Sequence, residues 1–252
     1  MKTFALFGAC GAIVVSALVA CSSASDTPGS SSGTPDRDAG LQREGSVYDS
    51  STSPESGLGE LLFRPDRVYS GTDGTHTFKT PVAVYDSDPD LTVTSSDAAA
   101  LTITKTTLKN PVNQDGVTDN GKYFMITAKK AGTYTLTATS SGRSTTASVT
   151  VSAYDAARYA AGKARYEAAG TDADRPCTTC HVNGAAIDHS PAALATASDR
   201  EVGIIITTGV KPGPSVIKIQ SEPGTLHKWN VTDPEKDGLI TFLRGIEPRG
   251  FQ

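Results

Sequence analysis

The chain has 252 residues and a formal net charge of −4, with 23 Lys and Arg against 27 Asp and Glu. This balance argues against a nucleic-acid-binding surface, which needs clustered positive charge, and it excludes no soluble protein partner. Only four cysteines occur, at positions 10, 21, 177 and 180.

The N-terminal segment is hydrophobic. A short positive start is followed by an almost wholly apolar run over 4–20, which ends in Leu-Val-Ala before Cys21. This resembles a bacterial lipoprotein signal, which implies that residues 1–20 are a signal peptide and that Cys21 takes the lipid. Cys10 would be removed with the signal. The alternative is an uncleaved membrane anchor, although the run is at the short edge of what spans a bilayer.

Residues 21–58 are rich in Ser, Gly, Pro, Asp and Thr and contain few large apolar side chains. Such a segment cannot bury enough surface to offset its ordering entropy, so we expect a disordered tether. As a flexible coil it would have an r.m.s. end-to-end distance of about 35 Å. It would hold a folded part away from the lipid surface of a bacterial cell envelope, at the outer membrane or at a membrane facing the periplasm.

Residues 59–152 contain short runs in which β-branched and polar residues alternate. These runs occur at 91–94, 101–104, 123–128, 134–139 and 147–151. Clusters of Gly, Asp, Asn and Ser separate them, as expected for turns. Several short strands at this spacing predict a β-sandwich.

Two stretches of this region, 129–139 and 148–151, resemble a bacterial Ig-like domain of the group 2 type. In that family a Gly turn precedes the penultimate strand, and a Val-x-Val strand ends the fold. The resemblance implies an all-β Ig-like sandwich, which could bind a protein or glycan partner. The antibody pattern of Cys, Trp and Cys does not occur.

Residues 153–252 have a helical pattern. Residues 154–169 are rich in good helix formers. Near the end, apolar residues recur on one helical face, namely Leu239, Phe242, Leu243 and Ile246. Thr232 or Asp233 as N-cap and Pro234 in the first turn mark the start of that last helix.

The most informative motif is Cys177-Thr-Thr-Cys180-His181. This C-x-x-C-H spacing is typical of c-type haem attachment, where two thiols form thioethers with one haem and the next imidazole binds the iron. A redox dithiol does not need the His and should lie in a βαβ pattern, which is absent. A zinc site needs further ligands at suitable spacing, and no other Cys lies nearby. The motif predicts one covalently bound haem.

With this motif, residues 153–252 resemble a class I c-type cytochrome, which implies an all-α domain following the Ig-like sandwich. In that family a small residue and an aromatic on the first helix pack against the last helix. Gly162 and Tyr166 match these positions, and Phe242 and Leu243 are suitable partners. Residues 199–209 match the middle helix of the family.

The resemblance also implies a role for Pro191, which follows His181 by ten residues and precedes Leu194, as in the Pro-containing loop of the family. There the Pro carbonyl accepts the imidazole N–H of the proximal ligand, which fixes its tautomer.

The chain departs from this family at the sixth iron ligand, which is usually a Met shortly before the last helix. The only methionines are Met1 and Met125, and Met125 falls in a predicted strand, where core packing is the usual role. His227 occupies the place of that Met and is the predicted distal ligand. His189, an open position, or a ligand from another protein are the alternatives.

Two further features have more than one interpretation. Trp229 could shield a haem edge or donate its indole N–H to a propionate, or it could be ordinary core packing. Three lysines and an arginine could form a docking face for an acidic redox partner, or could be solvated charge only. These are Lys211, Lys218, Lys228 and Arg244.

The sequence therefore predicts a lipid-anchored, mono-haem c-type cytochrome that transfers single electrons between redox protein partners and is not an enzyme. The alternative is a surface binding or adhesion protein, in which the Ig-like sandwich recognises a partner and the haem is sensory or structural. A peroxidase-type activity would need an openable iron site, and no acid–base constellation in the sequence supports it.

Overall fold

The computed structural model describes residues 59–108, 122–168, 175–181, 189, 191–213, 215–219 and 224–248. The predicted signal peptide, the lipidation site Cys21 and the predicted tether lie outside these described residues.

Eight described strands form two four-stranded sheets. In chain order they are β1 (Leu62–Arg64), β2 (Arg67–Thr72), β3 (Phe78–Tyr85), β4 (Thr92–Ser95), β5 (Leu101–Thr106), β6 (Lys122–Ala128), β7 (Gly132–Ser140) and β8 (Arg143–Ala153). One sheet has the order β1-β3-β6-β5 and the other β2-β8-β7-β4. The pair β2–β8 is parallel, and the other named pairs are antiparallel. The five strands predicted from alternating runs are confirmed as β4 to β8.

The two sheets enclose one shared apolar core, so we call β1 to β8 the sandwich. Val82 and Ile126 come from one sheet and Leu136 and Val149 from the other, and all four are fully buried. Burial of each such side chain stabilises the fold by about 1.5–3 kcal/mol. Alternation along β7 and β8 places the apolar residues on this inner face.

Strand β3 breaks the alternation, and for that reason the sequence pattern did not predict it. Residues Phe78 to Val84 are buried at nearly every position. The outer face of β3 is covered as well as its inner face, since Ala83 is fully buried there in a second apolar cluster with Tyr123, Tyr85 and Leu108. A strand buried on both faces gives a continuous apolar run instead of a period of two.

After β8 the chain becomes helical. The helices are α1 (Ala156–Glu167), a 3-10 turn (Cys177–Thr179), α2 (Pro191–Leu194), α3 (Asp199–Thr208) and α4 (Asp233–Gly245). Thr232 caps α4, and Pro234 lies in its first turn, which confirms the predicted start. Helix α3 ends at Gly209, whose φ of 71° is in the left-handed region. We call residues 156–248 the helical segment.

Helices α1 and α4 cross at a pair of glycines. A Cβ atom on Gly162 would lie 1.8 Å from the carbonyl oxygen of Gly238, so only glycine permits this approach. One turn further on, the rings of Tyr166 and Phe242 have centroids 5.2 Å apart. The predicted packing of Gly162 and Tyr166 against the last helix is confirmed, with Gly238 as the direct neighbour of Gly162.

The predicted fold class, an all-β Ig-like sandwich followed by an all-α cytochrome c domain, is wrong. The described chain is a mixed, mostly β structure of two sheets and a few helices, without a separate all-α unit. Helices α1 and α4 pack on each other, but they do not form a closed unit, because α4 also packs on β2 and β3, and α2 packs on β3. The helical segment also contains two β-bridges, Val210 with Val216 and Lys218 with Leu226.

Arg244 is also not a docking-surface residue. Its side chain is 1% exposed and lies between α4 and the sandwich. Lys211, Lys218 and Lys228 are exposed.

Candidate functional site

The motif Cys177-Thr-Thr-Cys180-His181 forms a single helical turn. The amide of Cys180 donates to the carbonyl oxygen of Cys177 at 3.2 Å, and the amide of His181 donates to the same oxygen at 3.1 Å. Both cysteines are free thiols. Burial raises the pKa of the Cys177 thiol to about 11, so this sulfur is protonated at neutral pH. The turn thus brings two thiols and an imidazole to one short stretch of backbone.

Three histidines converge at this turn. The rings of His181 and His189 stack with centroids 3.5 Å apart and an interplanar angle of 20°. The ring of His227 stands nearly perpendicular to His181, with centroids 5.9 Å apart. The structure therefore brings both sequence candidates for a second imidazole close to His181. His76, the remaining histidine, lies in the sandwich and stacks on Tyr159.

His227 is held in place by its backbone. Its amide donates to the carbonyl oxygen of Ile217 at 2.9 Å. A Cβ on Gly209 would lie 2.6 Å from the His227 carbonyl oxygen, so the glycine that ends α3 allows this close approach. The buried Nδ1 of His227 has no hydrogen-bond partner within the described part of the chain. Burial and the nearby charge of His181 lower the pKa of His227 to about 4, so it is neutral at pH 7.

His189 has a different environment, because its Nδ1 lies 3.4 Å from the hydroxyl of Tyr166. The same hydroxyl donates to the carbonyl oxygen of His181 at 3.5 Å. Tyr166 on α1 therefore connects both histidines to the helix that crosses α4. Nδ1 of His189 is therefore engaged by a side chain, in contrast to Nδ1 of His227 in the described part of the chain.

Trp229 joins the two sides of the site. Its indole N–H donates to the carbonyl oxygen of Arg175 at 2.9 Å, two residues before Cys177. Its backbone amide donates to the carbonyl oxygen of Ile206 on α3 at 2.9 Å. The sequence left its role open between haem contact and core packing. In the structure the indole fastens the chain around His227 to the segment that leads into Cys177.

The walls of the site are apolar. The residues around it are Tyr166, Cys177, His181, His189, Ile206, His227, Trp229, Leu239 and Leu243. They enclose about 30 Å³, which is about the volume that one water molecule takes up in the liquid. The donor set of two thiols, an adjacent imidazole and a buried unpartnered imidazole nitrogen fits a covalent haem chemically. Because a haem is far larger than this space, binding it requires the histidine rings to move apart.

The other predicted site residues lie as follows. Pro191 is buried and begins α2, two residues after His189. Met125 lies in β6, paired with Pro81 and Thr104 inside one sheet, and is not among the residues around the site. Within the described ranges, no group of three or more His, Cys, Asp or Glu side chains is arranged to hold a bare metal ion.

Sequence reasoning missed the wall residues Ile206 and Leu239 as parts of the site, and it missed the buried position of Arg244. The sequence does contain a pattern that indicates burial of Arg244. Arg244 follows Ile240 by four residues, and both are buried on α4, so helical periodicity places this cation on an apolar face.

Comparison with known proteins gives no family. No protein-family model and no curated protein matches the chain. Among solved structures, the S-layer protein rSbsC(31-844) resembles part of the chain, with 16% identity, a TM-score of 0.27, and coverage of 37% of this chain and 12% of that chain. SbsC domains 1-6 give 16% identity, a TM-score of 0.29 and coverage of 38% and 13%.

The S-layer protein SbsC domains 4 and 5 give 16% identity, a TM-score of 0.27, and coverage of 38% of this chain and 46% of that chain. The chain thus spans less than half the length of each of these structures. At this level of similarity they indicate neither a family nor a function.

No helix in the described ranges is long and apolar enough to cross a membrane.

Proposed function

We propose that this protein is a mono-haem c-type electron carrier tethered by a lipid on Cys21 to a bacterial cell envelope. The observation that supports it is the convergence of the Cys177–His181 turn with His227 in one apolar-walled site. Lipid attachment rests on the sequence before Cys21 alone. The redox partners are proteins of unassigned identity.

In this proposal each side chain has one role. Cys177 and Cys180 supply the two thioether sulfurs, and His181 is the proximal iron ligand. His227 is the distal ligand, because its imidazole is neutral and its buried Nδ1 has no described partner. A haem held in this way supplies a one-electron Fe(III)/Fe(II) couple. Two imidazoles place its potential below that of a His/Met haem, since a Met ligand raises the potential.

The surroundings favour electron transfer over catalysis. Leu239, Leu243 and Ile206 are apolar and provide no acid or base. The Tyr166–His189 pair is the one described hydrogen-bonded side-chain pair beside the ligands that could move a proton. If His181 and His227 both held the iron, no position would be open for a substrate, and the protein would only accept and donate electrons.

The test is to produce the full chain in cells that attach haem c, and to measure covalent haem in the denatured protein. We expect haem to stay with the wild-type chain and to be lost in the Cys177→Ser, Cys180→Ser double variant. A wild-type chain without covalent haem would overturn the proposal.

Ligand binding then identifies the sixth ligand. The reduced wild-type protein should not bind CO, whereas His227→Ala should bind it. His189→Ala is the matched control, because it removes a neighbouring imidazole and should leave the haem closed to CO. If His189→Ala binds CO and His227→Ala does not, His189 is the distal ligand. Rapid CO binding by the wild type would instead favour a sensor or an enzyme.

A further inference from the structure

A polar cluster around the buried Arg244 joins the sandwich to the helical segment. Its side chains are Ser152 and Tyr154 at the end of β8, Asp199 at the start of α3, and Arg244 near the end of α4. None of these groups lines the histidine site. Arg244 is buried, whereas the Asp199 side chain is 28% exposed. A buried cation is costly to keep unless it is paired and hydrogen-bonded, so the bonds of Arg244 define what the cluster does.

Arg244 contacts three parts of the molecule. Its guanidinium donates to Asp199 Oδ1 at 3.1 Å and to the carbonyl oxygen of Leu194 at 2.7 Å. It also donates to the carbonyl oxygen of Ala197 and, at 3.4 Å, to that of Tyr69 on β2. One side chain of α4 therefore binds the backbone between α2 and α3 and the backbone of the sandwich.

The second carboxylate oxygen of Asp199 accepts hydrogen bonds from the sandwich. The hydroxyl of Ser152 donates to Asp199 Oδ2 at 2.6 Å, and the hydroxyl of Tyr154 donates to the same atom at 2.9 Å. The ring of Tyr154 lies over Gly71, where a Cβ would be 1.9 Å from the ring. Burial and the negative charge of Asp199 raise the pKa of Tyr154, so the phenol remains a donor.

The backbone makes the same connection directly. The amide of Tyr69 donates to the carbonyl oxygen of Ala195 at 2.8 Å. Strand β2 is at the edge of its sheet, where backbone amides otherwise have no strand partner. The carbonyl oxygen of Ala195 therefore pairs an edge amide of the sandwich. Residues 191–197 are thus fastened to the sandwich by both backbone and side chains.

This fastened stretch borders the histidine site. It begins two residues after His189, and Leu194 packs against the apolar cluster that contains Tyr166 and also contacts Cys177. A displacement of 191–197 would therefore disturb the packing around Tyr166, whose hydroxyl contacts the His181 carbonyl oxygen and the His189 ring. Groups around a metal-binding imidazole set its orientation and the potential of the metal.

We infer that Asp199 and Arg244 are positioning residues, through which the sandwich fixes residues 191–197 and so sets the haem environment. The inference rests on the proposed function. It assigns the sandwich a task in the redox site itself, namely to support the segment that borders the haem ligands.

The test uses uncharged changes, because altering Asp199 or Arg244 would shift a haem potential by charge alone. Tyr154→Phe and Ser152→Ala, singly and together in the full haem-containing chain, remove only hydroxyl donors to Asp199. We expect a reduction potential outside the scatter of replicate wild-type titrations. We also expect hydrogen exchange at the Tyr69 amide, which is bonded to Ala195, to become at least about ten-fold faster in the double variant.

Tyr134→Phe is the matched control, since within the described residues its hydroxyl bonds only the carbonyl oxygens of Lys130 and Ala131, both in the sandwich. This variant should leave both the potential and the Tyr69 exchange unchanged. If the Ser152 and Tyr154 variants keep covalent haem with an unchanged potential, the inference is overturned while the proposed function stands. A wild-type chain that takes no haem overturns both.

Discussion

In the sandwich, side chains from both sheets fill the interior, and Val82, Ile126, Leu136 and Val149 are fully buried. In the helical segment the buried apolar cluster has six members and lies against the histidine site. Its buried residues also include Arg244, which bonds to the sandwich. The sandwich therefore has an interior of its own, while the helical segment obtains part of its interior from its neighbour.

Because of this difference, the two regions should depend on each other unequally. The free energy gained by apolar burial is roughly proportional to the apolar area removed from water. The two sheets of the sandwich bury their apolar faces against each other. Helices α2 and α4 bury their remaining faces on β2 and β3. We therefore expect a one-way dependence, in which the helical segment needs the sandwich more than the sandwich needs the helical segment.

The largest expected effect is that of Gly162→Ala. The added Cβ would meet the carbonyl oxygen of Gly238 at 1.8 Å, and helix backbones cannot yield as a flexible side chain can. We expect a loss of more than about 3 kcal/mol in the helical segment, at the upper end of overpacking costs. Amide exchange should accelerate in α1 and α4 and remain slow in the sandwich core.

Gly203→Ala is the matched control for this change, because it is also a glycine in a helix. The nearest atom to its added Cβ is a Lys236 side-chain carbon at 3.4 Å. It should be neutral or stabilising by up to about 1 kcal/mol. Equal destabilisation by both variants would show that the glycine crossing is unimportant.

A slightly smaller effect is expected for Leu136→Ala, which tests the dependence from the other side. Leu136 is fully buried in the sandwich, and truncation there should cost about 3 kcal/mol. Exchange should accelerate in α2 and α4 as well as in the strands. Leu226→Ala, at a residue that is 37% exposed, should change stability by less than about 1 kcal/mol. Unchanged protection of the helices in Leu136→Ala would contradict the one-way dependence.

The smallest effect concerns pH and the start of α3. Hydrogen bonds from the amide and hydroxyl of Ser198 hold the pKa of Glu201 below its usual range. Because the folded pKa is the lower one, the unfolded chain binds more protons as the solution is acidified. This contribution is complete above the unfolded pKa and is lost as pH falls through the folded value.

The measurement for this prediction is urea unfolding of the helical segment at about pH 6 and about pH 3. Wild type should lose more stability between these conditions than Glu201→Gln, which keeps a capping partner but cannot titrate. An equal loss in both proteins would mean that the Glu201 carboxylate does not contribute to the acid sensitivity of α3.

Much of the local structure could be predicted from residue patterns. Strands β4 to β8 have one buried face, so alternation identified them. Helix α4 was marked by Thr232, Pro234 and the spacing of its apolar residues. Strand β3 and the environment of Arg244 could not be predicted in this way, because each is covered by a part of the chain distant in sequence.

Local sequence specified strands β4 to β8, the start of α4 and the motif Cys177–His181, since each depends on neighbouring residues only. It also singled out His227, by the absence of a suitable methionine. Only the folded chain packs the helical segment on the sandwich and brings both His189 and His227 near His181. The burial of Arg244 is likewise a property of the folded chain, because burial depends on which surfaces meet when the whole chain folds.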